Sequence, residues 1–486
     1  MRYWRTQHPR VLVGGVIITL IFLVSRSFPF WRSDIPLGYD PGLYKAMFTS
    51  YLAMGNEWSL TELPMRIQRM YEPRLWLWAT LWLPMIGGRS DHILTRGRVI
   101  ISSVSVGGMY LLGRRWGVLA WLLATFLVVT SFVQYELFWR SYWKQVLGLF
   151  IFCLATWLVL EKQWQVLWLV VPALLLTHRS SGVVFLLAVA IWIGVLYRQK
   201  QKHTARVLGG VVCLGILLAM PWWVALWQPL VVRVWSYFVD AIGTISLQDD
   251  PLRWGVFFTL REYVQVSWHV IIVWLRWYRL LLRQRKDMFL VVITSIVFLW
   301  VGAQLLFFQR MIGMMSLLLL LWAVYALAQR WVEPSKRGKW AVTIFCILHV
   351  SVFCYRIPRV YFPIITTDEF AFIRAQEHVL EPNAVVIVSG IWYSPWIKWR
   401  MDREVIAPGL FDHQQRGTLD EGRTTQWLSV SAATKCTNVL HTFPWIADRP
   451  VYVRQGSKQP PTDLAGACFV PLKQTAQWSR WKLAPQ

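Results

Sequence analysis

Charge is scarce in this chain. Only 15% of its 486 residues are Asp, Glu, Lys or Arg, where a soluble protein carries about a quarter. Carboxylates are the scarcer sign, 25 against 50 Lys and Arg. Cysteine is rare as well, which excludes a small fold stapled by disulfides. Of the six, Cys153, Cys213, Cys346 and Cys354 lie inside apolar runs and read as packing residues. Cys436 and Cys468 stand in a more polar C-terminal part, where an extracytoplasmic location would permit a disulfide between them. No HxxxH or CxxC pair, P-loop or GxSxG occurs, so the common zinc, NTPase and hydrolase signatures are missing. The basic residues come with no RNP, zinc-finger or helix-turn-helix pattern, which argues against nucleic acid as a partner. No internal repeat or low-complexity tract is present.

What fills the chain is apolar: 56% hydrophobic residues, 33 Trp and a mean hydropathy of +0.42. Runs long enough to cross a bilayer recur at 11–28, 97–113, 117–133, 146–160, 164–177, 181–197, 207–224, 262–280, 288–308, 311–329 and 340–355. They predict a mainly α, polytopic membrane protein with about eleven transmembrane helices. The net charge of +25 gathers in short connections such as Arg114-Arg115, RQKQKHTAR (198–206), RLLLRQRK (279–286) and RWVEPSKRGK (330–339). Basic residues in alternate short loops mark the cytoplasmic side. The N-terminus is therefore expected inside, the first apolar run is a retained helix rather than a cleaved signal, and the C-terminus lies outside.

This layout divides the chain into a transmembrane domain, 1–355, and a small extracytoplasmic α/β domain, 356–486. Residues 29–96 form a long first outer loop. Its apolar stretch 73–88 would reverse every later basic loop if it spanned, so a helix lying in the interface and anchored by Trp76, Trp78 and Trp82 is expected. In the C-terminal part, EFAFIRAQEHVL (369–380) reads as an amphipathic helix, NAVVIVSG (383–390) as a buried strand and REVIAPG (403–409) as another. The last fifty residues carry no pattern that assigns them.

The polar groups collect on the outer side. Asp34, Asp40, Glu57 and Glu62 fall in the first outer loop. A second outer loop, 134–145, brings Glu136, Arg140 and Lys144. His178 and Arg179 stand at a span end, Asp249, Asp250 and Arg253 in a further loop, and Arg310 at the start of another span. Carboxylates beside several cations at a lipid surface suit a substrate with a hydroxyl to activate and a phosphate to hold. Each residue also has a plainer role. Asp40 before Pro41 is a good helix N-cap, long cations snorkel to headgroups, most of the Trp form an interfacial belt, and a lone His is commonly a structural hydrogen-bonder.

The motifs GYDPGLYKAMF (38–48), YEPRLWLW (71–78), RGRVIISSVSVGGMYLLGRRWG (96–117), FWRSYWKQVLGLF (138–150) and YSPWIKWRMDREVIAPGLFD (393–412) resemble the GT-C superfamily of polytopic glycosyltransferases. That superfamily includes protein O-mannosyltransferases, the aminoarabinose transferase and oligosaccharyltransferase subunits. The topology matches over nearly the whole chain, the letters only in these motifs. The resemblance implies an integral plasma-membrane enzyme that moves a sugar from a polyprenyl-phosphate donor to a glycan, lipid or protein acceptor, with inversion. It places the essential acidic residue at Asp40 and makes Tyr44, Lys45, Glu136, Arg140, Lys144, His178, Arg179, Arg310 and Tyr393 candidate substrate-binding residues. The sequence departs from the Asp-Glu pair, since Asp40 is followed by Pro41, and from the Asp-x-Asp of the second loop, where Tyr135-Glu136 stands. A divalent cation (Mg or Mn) thus has no second acidic motif behind it, and no cofactor is predicted. Two other classes stay open: a lipid or solute transporter, which would carry charges near mid-span, and a GT-C-fold scaffold without activity.

Overall fold

The computed structural model describes residues 2–31, 97–140, 142–220, 259–282, 287–303, 305, 308–332, 335–360, 367–376, 379–388, 403–406, 450–456, 469–474 and 478–483. Asp34, Asp40, Tyr44, Lys45, the stretch 73–88, Asp249, Asp250, Arg253, Tyr393, Cys436 and Cys468 lie outside the described residues. The described part divides into two compact units, helical and mixed.

The helical unit contains α1 (Arg2–Ser27), α2 (Arg98–Gly113), α3 (Val118–Val129), α4 (Phe132–Trp139), α5 (Trp143–Leu160), α6 (Leu167–Thr177), α7 (Arg179–Arg198), α8 (Lys202–Met220), α9 (Leu260–Leu282), α10 (Met288–Gly302), α11 (Phe308–Val332) and α12 (Lys336–Val360). Each apolar run read from the sequence is occupied by one of these helices. Among the described residues, α5, α7, α8, α11 and α12 are long and apolar enough to cross a membrane singly, and the bent pair α3–α4 makes up to six.

Helix α11 is the axis of the unit. Its sequence, MMSLLLLLWAVYALA, is apolar on every face, as a helix surrounded by others must be. Its membrane-length window is wholly buried, against α2, α3, α4, α9, α10 and α12. Between helices in lipid the hydrophobic effect offers little, so close approach of small residues does the packing. Gly113 illustrates this: a Cβ there would lie 2.8 Å from that of Ala124 and 3.0 Å from the Trp121 Cα. The peripheral helices face outward with large apolar side chains, Leu12, Leu299, Trp340 and Ile347 among them, a surface suited to lipid rather than water.

The stretch 134–145, expected as an outer loop, is for the most part a buried helix. Helix α3 ends at Thr130, the chain bends by 51°, and α4 starts behind Ser131, whose hydroxyl accepts from the Gln134 N–H. A bend frees carbonyls of the preceding helix, and one of them, Leu127 O, accepts from His349 Nε2–H of α12 at 3.0 Å. His349 Nδ1 then accepts from His269 Nε2–H of α9 at 2.8 Å.

The second unit holds α13 (Thr367–Gln376) and a five-stranded sheet of β1 (Val385–Val388), β2 (Glu404–Ile406), β3 (Val451–Gly456), β4 (Phe469–Gln474) and β5 (Trp478–Leu483). The strand order is β2-β1-β3-β5-β4. Strand β1 pairs in parallel with β2 and β3, and β5 is antiparallel to β3 and β4. The continuous apolar run Val385-Val386-Ile387 is fully buried, as a strand covered on both faces should be. The strands β3, β4 and β5 fall in the segment that carried no legible pattern.

Candidate functional site

One end of the helical unit gathers polar residues from four separated segments. Helix α4 contributes Glu136, only 3% exposed, and its C-cap Arg140, whose Nε donates to Glu136 Oε1 at 2.5 Å. The i,i+4 spacing puts both on one face of α4, and the Arg140 side chain remains 29% exposed. Glu262, in the first turn of α9, is near enough for its charge to oppose that of Glu136. It is held by a capping box in which the Thr259 N–H donates to Glu262 Oε2 at 2.8 Å and Glu262 N–H to Thr259 Oγ1 at 3.2 Å.

Two glutamines lock the start of α11 to α4 and α5. Gln134 Nε2 donates to Gly313 O at 3.0 Å and Gln145 Nε2 to Arg310 O at 2.6 Å. Gly313 makes this approach feasible, since a Cβ there would sit 2.8 Å from Gln145 Nε2. Arg310 is thereby fixed at its backbone with its side chain exposed. Lys144, one residue before Gln145, is half-buried.

His178 joins α6 to α7 in an extended conformation and caps α7 through its ring. Burial pushes its pKa down to about 3, and the positive charges of Arg310 and Lys144 push it the same way. The ring is therefore neutral over the physiological range and shares its surroundings with two cations. Arg179 follows it, half-buried, in the first turn of α7.

Of the residues singled out in the sequence, Glu136 and Arg140 meet as an ion pair, and Lys144, His178 and Arg310 meet as a second group. Glu136, Lys144, Arg310 and their neighbours are linked through Gln145 and α11. Asp40, Tyr44, Lys45 and Tyr393 lie outside the described residues. Sequence reasoning missed Arg26, at the end of α1. Its guanidinium is 2% exposed, donates to Ser102 Oγ and Ser25 Oγ, each at 3.2 Å, and lies over the rings of Phe22, Tyr135 and Phe138. It ties α1 to α2 and α4 by charge–ring contacts, which are strongest when desolvated. Gln134, Gln145 and Ser181 were also missed, because neutral residues at the edges of apolar runs carry neither charge nor a periodic signal.

The opposite end of the unit is differently made. Arg115 pairs with Glu161 and, at 3.4 Å, with Asp287. Asp287 also accepts from Trp116 Nε1 at 3.2 Å. These residues follow α2, follow α5 and precede α10.

A bundle of apolar helices with a bent pair beside a cation-rich end, together with a separate mixed-sheet unit, defines the class: a polytopic membrane protein with a two-unit fold. Two solved structures of ArnT from Cupriavidus metallidurans share it. The apo form has a TM-score of 0.63 at 12% identity over 99% of this chain and 100% of that one. The form bound to undecaprenyl phosphate has a TM-score of 0.58 at 12% identity over 98% and 99%. The Archaeoglobus fulgidus oligosaccharyltransferase, crystallised with Zn and sulfate, has a TM-score of 0.55 at 13% identity, over 90% of this chain and 67% of that one. No protein-family model and no curated protein matches the chain in sequence.

The zinc in the oligosaccharyltransferase raises the question of a metal here. Among the described residues, no three His, Cys, Asp or Glu side chains converge, and the Glu136 carboxylate faces Arg140. The described part of the site offers no ligand set for a divalent ion.

Proposed function

We propose that this protein is an inverting glycosyltransferase that uses a polyprenyl-phosphate-linked sugar. The observation that carries the reading is the convergence of Lys144, His178 and Arg310, from three distant segments, at one end of a bundle with the GT-C fold. Cations held at the edge of lipid are partners for a phosphate, and undecaprenyl phosphate is the molecule bound to one of the similar ArnT structures.

In this reading Asp40 accepts a hydrogen bond from the acceptor hydroxyl, orients it and takes its proton as the hydroxyl oxygen attacks the anomeric carbon. The bond from that carbon to the phosphate oxygen breaks on the opposite face, which inverts the configuration. The lipid phosphate leaves with the electron pair. Lys144, Arg179 and Arg310 stabilise the charge that grows on it, and no general acid is needed for so good a leaving group. The Glu136–Arg140 pair holds a guanidinium at the site rim, while Tyr44, Lys45 and Tyr393 contact sugar or acceptor. The acidic loop and the C-terminal unit act on the extracytoplasmic face, with the N-terminus in the cytoplasm.

The test is transfer from a polyprenyl-phosphate sugar in detergent or liposomes. Asp40→Asn is expected to abolish transfer while the protein keeps its thermal stability and still binds undecaprenyl phosphate. Full activity in that variant would end this mechanism.

A further inference from the structure

His178 has a feature that a simple cap does not need. The Ser181 N–H donates to its Nδ1 at 3.4 Å, and Ser181 Oγ lies 2.7 Å from the same nitrogen. Accepting from the backbone N–H assigns the ring proton to Nε2 and makes the Ser181 hydroxyl the second donor to Nδ1. Ser181 is completely buried, so water cannot replace its hydroxyl. Gly148 of α5 presses against the other side of the residue. A Cβ on Gly148 would come within 2.3 Å of the His178 Cβ and 3.0 Å of its Cγ, so only glycine leaves the ring where it is. The seat is therefore specified from two helices. It fixes a neutral imidazole whose Nε2–H has no acceptor among the described residues, in the field of Lys144 and Arg310.

We propose that His178 is a fixed-tautomer hydrogen-bond donor to a phosphate oxygen of the lipid-linked substrate, and that Ser181 and Gly148 are the residues that position it. This rests on the transferase reading and adds to it the groups that set the geometry. A neutral N–H between two cations suits a site that must bind an oxyanion and then release it. It contributes direction, where a third full charge would hold the product phosphate more tightly. Burial of the ring, together with Arg310 on α11 and Lys144 on α5, keeps the imidazole neutral.

The experiment uses the full chain in detergent and measures the affinity of undecaprenyl phosphate against uncharged undecaprenol, with thermal stability recorded alongside. Two substitutions separate the two ring nitrogens. His178→Asn retains an acceptor where Nδ1 stood, so it caps α7, but it cannot reach the phosphate. Its melting temperature should stay near that of the parent while phosphate affinity falls about ten-fold or more, the effect of losing one hydrogen bond to a charged group. His178→Gln places an amide N–H where Nε2–H stood but caps poorly. It should melt lower and bind within about three-fold of the parent. Ser181→Ala and Gly148→Ala should each weaken phosphate binding, and Ser181→Thr should restore it. Parent-like phosphate affinity in His178→Asn overturns the proposal while leaving the transferase reading intact. If Asn at 178 does not fold, equal affinity in Ser181→Ala and Ser181→Thr overturns it instead. A parent protein with no preference for the phosphate over the alcohol overturns both.

Discussion

The two ends of the helical unit, separated by about 27 Å along the eighteen residues of α5, handle charge in opposite ways. At one end Arg115 meets two carboxylates, Glu161 and Asp287, and the indole N–H of Trp116 completes the shell of Asp287. At the other, Arg140 takes up Glu136, whose charge Glu262 opposes, while Lys144 and Arg310 act on the neutral ring of His178. In the first arrangement each charged group has an opposite partner, and the three together tie the ends of α2, α5 and α10 to one another. The second sets Lys144 and Arg310 beside a neutral imidazole, the arrangement proposed above to meet a phosphate. Charged residues at the ends of membrane helices are thus not one class. Their local partners, opposite charges at one end and a neutral imidazole at the other, set them apart.

The comparison can be broken in several ways. The largest effect is expected from Asp40→Asn, a loss of transfer of at least about 100-fold, the lower bound for a group that handles the reacting proton. Glu136→Ala should follow, since it removes a charge-assisted hydrogen bond between a buried carboxylate and Arg140, a loss of about 1.5–3 kcal/mol. The measurement is a fall in melting temperature together with weaker donor binding. Replacing both partners, Glu136→Leu with Arg140→Met, should recover the stability but not the activity. At the Arg115 end, Asp287→Asn should cost about 1–3 kcal/mol of stability and leave the kcat and KM for transfer unchanged. A change in KM there would collapse the distinction between the two ends.

A further effect is one of pH. The pKa of His178 in the folded chain is about 3, below the value near 6.5 of an unfolded histidine. Between those values the unfolded state takes up a proton that the folded state refuses. Stability from this group is complete above about pH 6.5 and is lost as the pH falls towards 3. A thermal-melt series from pH 8 to 4 should show the drop, and His178→Asn should flatten it.

The helices were legible because lipid removes the alternatives: a run without charge has to bury its backbone groups in a helix, and each such run holds one. Helix α4 was not legible, since Gln134, Glu136 and Arg140 make its sequence look like a loop. Its polar side chains point at α9 and α11, partners that no local pattern reveals. The strand of Val385–Val388 could be read from four consecutive β-formers, whereas β3, β4 and β5 depend on pairings across a sheet whose order departs from that of the chain. At the candidate site the charged members were visible one by one. Their grouping was not, because it depends on Gln145 reaching the backbone of Arg310 and on a glycine at 148 that lets two helices touch.

The hydrogen bond between His349 and the Leu127 carbonyl joins residues 222 positions apart. During synthesis α3 enters the membrane early and α12 last of the helical unit. Until then the carbonyl exposed by the bend lacks a donor, a cost of several kcal/mol in hydrocarbon. The break beside the site is therefore completed only when α12 arrives, which makes its insertion, and not that of α3 and α4, the step at which this part of the bundle matures.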